Sequence, residues 1–201
     1  MKHKFFLIFF LFPIFLSCVS FNSSLTNKSS RILIVYDSVY GSTKLIAHWI
    51  AQGIEENINE QVIKVVPITQ VQVDEELKWA NFILLGSPIY RGDISDRMKG
   101  FIKKYSSEIK RRPFGIFVVC GTYLIHEERL LDNFEKTIGK NSNVKKAFGG
   151  RLNPEKLIPE HHKRLNDYWK ERGVNYIKSF DYLSKDDAIG FGRKIKDEII
   201  R

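Results

Sequence analysis

The residues whose types and spacing can do chemistry sit first in the stretch Asp37-Ser38-Val39-Tyr40-Gly41-Ser42-Thr43. Ser38, Ser42 and Thr43 carry hydroxyls, and Gly41 allows close backbone approach or a positive φ. The segment follows an apolar run, 32–36, and precedes Leu45, Ile46, Trp49 and Ile50 at helical spacing. It is therefore a strand-to-helix loop, and backbone N–H groups and the helix dipole there favour anions. The triphosphate pattern G-x-x-x-x-G-K-[ST] and the dinucleotide pattern G-x-G-x-x-G are both absent. Hydroxyls and amides without a fixed cation suit a monophosphate. The competing reading is an ordinary turn with good helix caps.

Two further glycine-bearing stretches offer aromatics. One is Gly86-Ser87-Pro88-Ile89-Tyr90-Arg91-Gly92; the other is Cys120-Gly121-Thr122-Tyr123. Each reads as a loop after a buried strand. If the first loop holds a phosphate, these two are placed to hold a flat ring, with Tyr90 and Tyr123 on its faces and loop amides on its polar edge. Half-buried capping of the sheet explains each Tyr equally well. Arg91 can meet a carboxylate or an anionic ring edge, or simply face water. Cys120 reads as a small core residue at a strand end rather than a reactive thiol. His161 and His162 are adjacent, so they point to different faces of a helix, and no clustered Cys or His joins them as a metal site. No metal and no Ser-His-Asp arrangement is assigned.

These loops need an α/β framework to bring them together. Apolar runs give strands over 32–36, 61–66, 82–86, 114–120 and 144–148. Helical periodicity covers 42–53, 93–110 and 127–138, a short helix or turn covers 74–79, and a mostly charged helix covers 160–172. Ser184 is placed to cap a last helix marked by Ile189, Phe191 and Ile195. Strands alternating with helices imply a doubly wound, five-stranded parallel sheet with helices on both faces. Ligands of such sheets lie across the carboxyl ends of several strands.

Ser38-x-x-Gly41-x-Thr43 after a strand resembles the FMN-phosphate loop of the flavodoxin-like proteins, with Tyr40 where that loop carries Thr or Ser. That resemblance implies FMN as cofactor, held by Ser38, Val39, Tyr40, Gly41, Ser42 and Thr43. A second group would hold it from Ser87, Pro88, Ile89, Tyr90, Arg91 and Gly92, and a third from Cys120, Gly121, Thr122 and Tyr123. The segments 86–92 and 147–152 are similar to the branch containing menaquinone-dependent protoporphyrinogen oxidase. The Trp-bearing stretch 160–172 falls where that branch carries an insertion. The resemblance implies electron transfer with a quinone or porphyrinogen-type partner.

The amino end differs in composition. Lys2, His3 and Lys4 precede an unbroken apolar run, 5–16, and then Ser17-Cys18. The run falls short of the roughly 20 residues a spanning helix needs and has the layout of a signal peptide. Residues 15–18 resemble a bacterial lipoprotein box with Cys18 as the lipidated residue. Cleaved secretion, an uncleaved anchor or an early start are the alternatives. Residues 18–30, rich in Ser and Asn, read as a flexible tether, leaving 31–201 as one folded domain outside the cytoplasm, or inside it if the start is early. The chain carries a net charge of +9, of which Lys2 and Lys4 supply two. That sign favours anionic lipid or an acidic partner. It is spread along the chain with no recognition motif, so no nucleic acid is implied. The alternative to an electron carrier is an exported lipoprotein of this fold that has lost FMN and serves as a binding module.

Overall fold

The computed structural model describes residues 30–56, 63–70, 73–121, 123–174 and 178–199. The leader 1–17 with Cys18, nearly all of the tether 18–30, and Thr122 lie outside the described residues, as do residues 61–62 of the second strand.

The apolar runs form the sheet, and its central strands are buried on both faces while the two edge strands are partly exposed. Five strands run parallel in the order β2-β1-β3-β5-β6: β1 (Ile32–Tyr36), β2 (Ile63–Pro67), β3 (Phe82–Tyr90), β5 (Phe114–Cys120) and β6 (Val144–Gly149). Alternation along each strand feeds two cores. Leu33, Val35, Ile83, Leu85, Ile116 and Val118 pack with α2 (Val73–Trp79), α3 (Asp96–Lys104), α4 (Ser106–Lys110) and α5 (Tyr123–Ile138). Ile32, Ile34, Phe82, Leu84, Phe117 and Val119 pack on the other side with α1 (Ser42–Glu55) and α7 (Lys185–Ile199). Ser184 caps α7 through a bond from the Asp187 N–H, 3.3 Å. Ser30 donates its hydroxyl proton to the Ile199 carbonyl, 3.1 Å.

Three local expectations are corrected. The third strand does not stop at Gly86. Ser87 and Pro88 stay in parallel register with Val118 and Val119, and Ile89 and Tyr90 pair with Ile94 and Asp93 of a short antiparallel strand, β4 (Asp93–Ile94). Pro88 donates no ladder bond, which is why its sequence context resembles a loop. Arg91 (φ 55°) and Gly92 (φ 78°) form the two-residue turn between β3 and β4. Left-handed conformations at both central positions fit a type I′ hairpin.

The helix expected over 93–110 is accordingly shorter and broken. Ser95 caps α3 by accepting from the Met98 N–H, 3.1 Å, and the chain leaves helical geometry at Tyr105 (φ −112°, ψ 23°) before α4. The fourth strand includes Cys120, and α5 already begins at Tyr123, with a kink at His126 (φ −132°).

After β6 the chain makes a long excursion. β7 (Arg151–Leu152), a 3₁₀ turn over Pro154–Lys156, α6 (Pro159–Lys170) and β8 (Phe180–Asp181) precede α7. β7 and β8 pair antiparallel as a separate ribbon. α6 has no buried residue.

Candidate functional site

The loop after β1 turns because Gly41 adopts φ 89°, a left-handed conformation that a β-carbon would strain. No heavy atom lies within 4 Å of the place a Gly41 Cβ would take, so the loop opens on free space. The Ser38 hydroxyl oxygen accepts from the N–H of Gly41 at 3.1 Å and of Lys44 at 3.3 Å. Among the described residues its own proton has no acceptor. The first-turn N–H groups of a helix have no intrahelical acceptor, and among the described residues those of Ser42 and Thr43 find none elsewhere. The Thr43 side chain is buried, so its contribution to a ligand is its amide rather than its hydroxyl.

Asp37, at the entrance to this loop, is 2% exposed. Arg97 of α3 meets its carboxylate from Nη2 at 2.6 Å and from Nε at 3.3 Å. The sequence alone gives no sign of this pair, because 60 positions separate its members. It cancels a negative charge that would otherwise oppose an anion beside Ser38. A loop with open space, unused amides, a donor hydroxyl and a neutralised carboxylate fits a phosphate.

The second stretch divides. Ser87 and Pro88 are buried in the sheet, and Ile89 packs against a core. The Ser87 hydroxyl donates to the Pro88 carbonyl (2.9 Å) and accepts from the Ser95 N–H (3.1 Å), so it fixes the start of α3 instead of facing a ligand. The structure leaves Tyr90, Arg91 and Gly92 at the hairpin tip. Tyr90 is 37% exposed. Burial, then the negative charge of Asp37 and the nearby Tyr40, push its phenol up to about 12, with Arg97 opposing.

The third stretch is covered by its own chain. Gly121 lies under Phe180 of β8: a Cβ on Gly121 would sit 2.5 Å from Phe180 Cζ. Phe180 in turn stacks on Tyr182, with centroids 4.9 Å apart and planes at 16°. Cys120 is buried at the end of β5. Nothing is described of the Tyr123 side chain. Phe180 is the aromatic that the fold brings to this loop, from far along the sequence.

Tyr40 does not behave as a substitute hydroxyl in the loop. Its oxygen lies 2.6 Å from His161 Nδ1 on α6 and accepts from the Ile158 N–H at 3.4 Å. His161 also meets the Tyr90 ring, with centroids 5.9 Å apart. His161 is thus half-buried against the loops, on a helix whose sequence is mostly charged.

Residues 33–172, well over half of the chain, match the family described as Flavodoxin domain. The chain belongs to the flavodoxin-domain family. It is 30% identical over 84 residues to an uncharacterized protein of Methanocaldococcus jannaschii, MJ0732; that stretch is 41% of this chain and 21% of the relative, so the match spans about a fifth of the relative's length. The flavodoxin domain is similar in structure to a flavodoxin, WrbA-like protein from Agrobacterium tumefaciens (18% identity, TM-score 0.54, covering 85% of this chain and 98% of that one). It is also similar to an archaeal flavodoxin (18%, TM-score 0.50, 85% and 99%) and to the flavodiiron protein of Giardia intestinalis (12%, TM-score 0.53, 85% and 36%). At such identities the likeness is one of fold.

Proposed function

We propose that this flavodoxin domain binds FMN and passes electrons between the flavin and a membrane quinone or another hydrophobic redox partner, porphyrinogen-type compounds included. The observation that carries the reading is the loop after β1, with left-handed Gly41, the Ser38 donor, unused amides of Ser42 and Thr43, and Asp37 neutralised by Arg97. Family membership and the likeness to flavodoxins support it. The segments 86–92 and 147–152 support placing it near the protoporphyrinogen oxidase branch.

Bound flavin supplies the redox chemistry, and the protein orients it and tunes its potential. Ser38 and the amides of Val39, Tyr40, Ser42 and Thr43 would hold the phosphate, with Gly41 supplying the left-handed turn and its own N–H tied to Ser38. Tyr90, Arg91 and Gly92 would border the ring on one side, and Gly121 with Phe180 on the other. With its phenol held near 12, Tyr90 stays a neutral hydrogen-bond donor across the physiological range. Apolar side chains of β3 and β5 beneath the site limit water access from the sheet side.

Lipidation at Cys18 would tether the domain outside the cytoplasm, where the net charge of +7 (9 − 2) left without Lys2 and Lys4 attracts anionic headgroups. A tether raises the local concentration of lipid-soluble partners. Among the described residues no helix is long and apolar enough to cross a membrane. Fatty-acid labelling of the wild type, lost in C18A, tests the anchor.

A second reading has its own observation. Tyr40 engages His161 instead of offering a loop hydroxyl, as in a flavodoxin fold turned binding module without FMN. Full-length protein in mild detergent, incubated with FMN and desalted, separates the two. Retained flavin absorption in the visible supports the electron carrier. A colourless protein overturns it and favours the binding module.

A further inference from the structure

α6 has no buried residue, yet one of its side chains reaches both loops of the candidate site. The His161 imidazole lies between the phosphate loop, through Tyr40 (ring centroids 5.7 Å, planes at 69°), and the hairpin after β3, through Tyr90 (5.9 Å, 43°). The 2.6 Å contact with Tyr40 uses Nδ1, and among the described residues Nε2 has no partner. A phenol oxygen both gives and takes hydrogen bonds, so Tyr40 can donate to a neutral imidazole or accept from a charged one. The imidazole is therefore held in place in either protonation state.

The carboxylates around it are paired, and Arg91 at the hairpin tip is exposed. Asp37 is paired with Arg97, Glu160 with Arg164, and Lys163 with Asp167. Tyr40 and Tyr90 present their phenol rings on the two facing elements. His162 is exposed next to it on α6, and Lys44 is exposed on α1. An imidazole can take up a proton and a positive charge where phenols and amides cannot, and His161 is the imidazole that the fold places between the two loops.

We propose that His161 is a ligand-site residue: once protonated, it supplies the positive charge that the phosphate loop lacks, and so selects a phosphate-bearing flavin over the same flavin without phosphate. The proposal rests on the FMN reading above. Tyr40 then acts as the positioning residue that delivers His161, and the departure from Thr or Ser at that position gains a physical purpose.

Binding of FMN and of riboflavin to the full-length chain in mild detergent, followed by flavin fluorescence, tests this. Wild type, H161Q and H162Q are compared at about pH 5.5 and about pH 8.5, on either side of the imidazole range. Comparing variants at one pH cancels the titration of the phosphate itself. H161Q is expected to weaken FMN about tenfold at the lower pH, the scale of one charge-assisted hydrogen bond. At the higher pH the expected loss is less than about twofold, because neutral imidazole brings no charge. Riboflavin affinity stays unchanged at both, and H162Q matches wild type. Equal losses for FMN and riboflavin would show that His161 only packs against the ring and would overturn the proposal. So would FMN affinity that H161Q leaves untouched, or a loss of the same size at both pH values. Wild type that binds neither flavin is a separate result: it removes the FMN reading itself, and this proposal with it.

Discussion

Removing Arg97 should do more damage than removing the carboxylate it serves. Asp37 is 2% exposed, and its carboxylate receives two guanidinium N–H groups, at 2.6 and 3.3 Å. R97A leaves that carboxylate buried without a counter-ion, a class of change that costs about 3–5 kcal/mol when both partners are buried. The Arg97 side chain is 49% exposed, so water reaches one side of the pair and the cost falls to about 2 kcal/mol. For a domain of this size that lowers Tm by about 4–8 °C. D37N replaces the anion with a neutral isostere and leaves a solvated guanidinium, costing about 1 kcal/mol. The double variant R97A/D37N has no buried charge left to strand, so it should melt close to D37N and well above the additive expectation. FMN affinity should follow the same order, since the bare Asp37 carboxylate in R97A stands beside Ser38. Chemical and thermal denaturation of the four proteins provide the cycle. A Tm for R97A within about 1 °C of wild type, or strictly additive losses in the double variant, would refute the buried-pair argument.

Three other outcomes follow from the same geometry. Tyr90 ionises near 12 in the folded state against about 10 unfolded. The unfolded chain therefore loses that proton first, and stability should fall as pH rises from about 10 towards 12; Y90F should flatten this alkaline limb in denaturant titrations. G192A should cost about 1–3 kcal/mol, because its Cβ would lie 2.2 Å from the Ile50 carbonyl oxygen where α1 and α7 pack, and backbone cannot yield there cheaply. R91N should raise stability by about 0.5–1 kcal/mol, since Asn tolerates the left-handed φ of 55° and Asn-Gly suits a type I′ turn; a loss of stability would argue against that turn.

Legibility in the sequence followed the range of the interactions. β1 and β5 were plain because strands buried on both faces must be apolar throughout, and α7 was plain because Ser184 and its apolar periodicity lie together. The loop from Ser38 to Thr43 could be read for the same reason: its chemistry is local. The stretch from Ser87 to Tyr90 misled because Ser and Pro interrupt an apolar run, although Pro88 sits in register beside Val119 and Ser87 is held by Ser95. The break at Tyr105 carries no Gly or Pro to announce it. Contacts between Asp37 and Arg97, Tyr40 and His161, or Gly121 and Phe180 join residues far apart in sequence. Tyr40 and His161 drew attention separately, and of the other two pairs only Asp37 and Gly121 did, with nothing to say what any of them meets.

The distant partners share a physical logic. A doubly wound sheet opens its carboxyl edge to ligands, and its short strand-to-helix loops reach that edge only from below. Closing the edge takes chain from elsewhere, and here the excursion between β6 and α7 provides it, with His161 over the first two loops and Phe180 over the third. Because α6 buries no side chain, the sheet does not depend on it for its core. Changes along α6 should therefore alter what the site holds far more than whether the domain folds. The opposite should be true of Gly53 and Gly192 between α1 and α7, where the backbones nearly touch and no part of the candidate site is present. Recognition by α6 and stability at the α1–α7 seam are thus separate, while the Asp37–Arg97 pair serves both. That division is what lets a site variant such as H161Q be read as a change in binding, with an unchanged melting curve as the control.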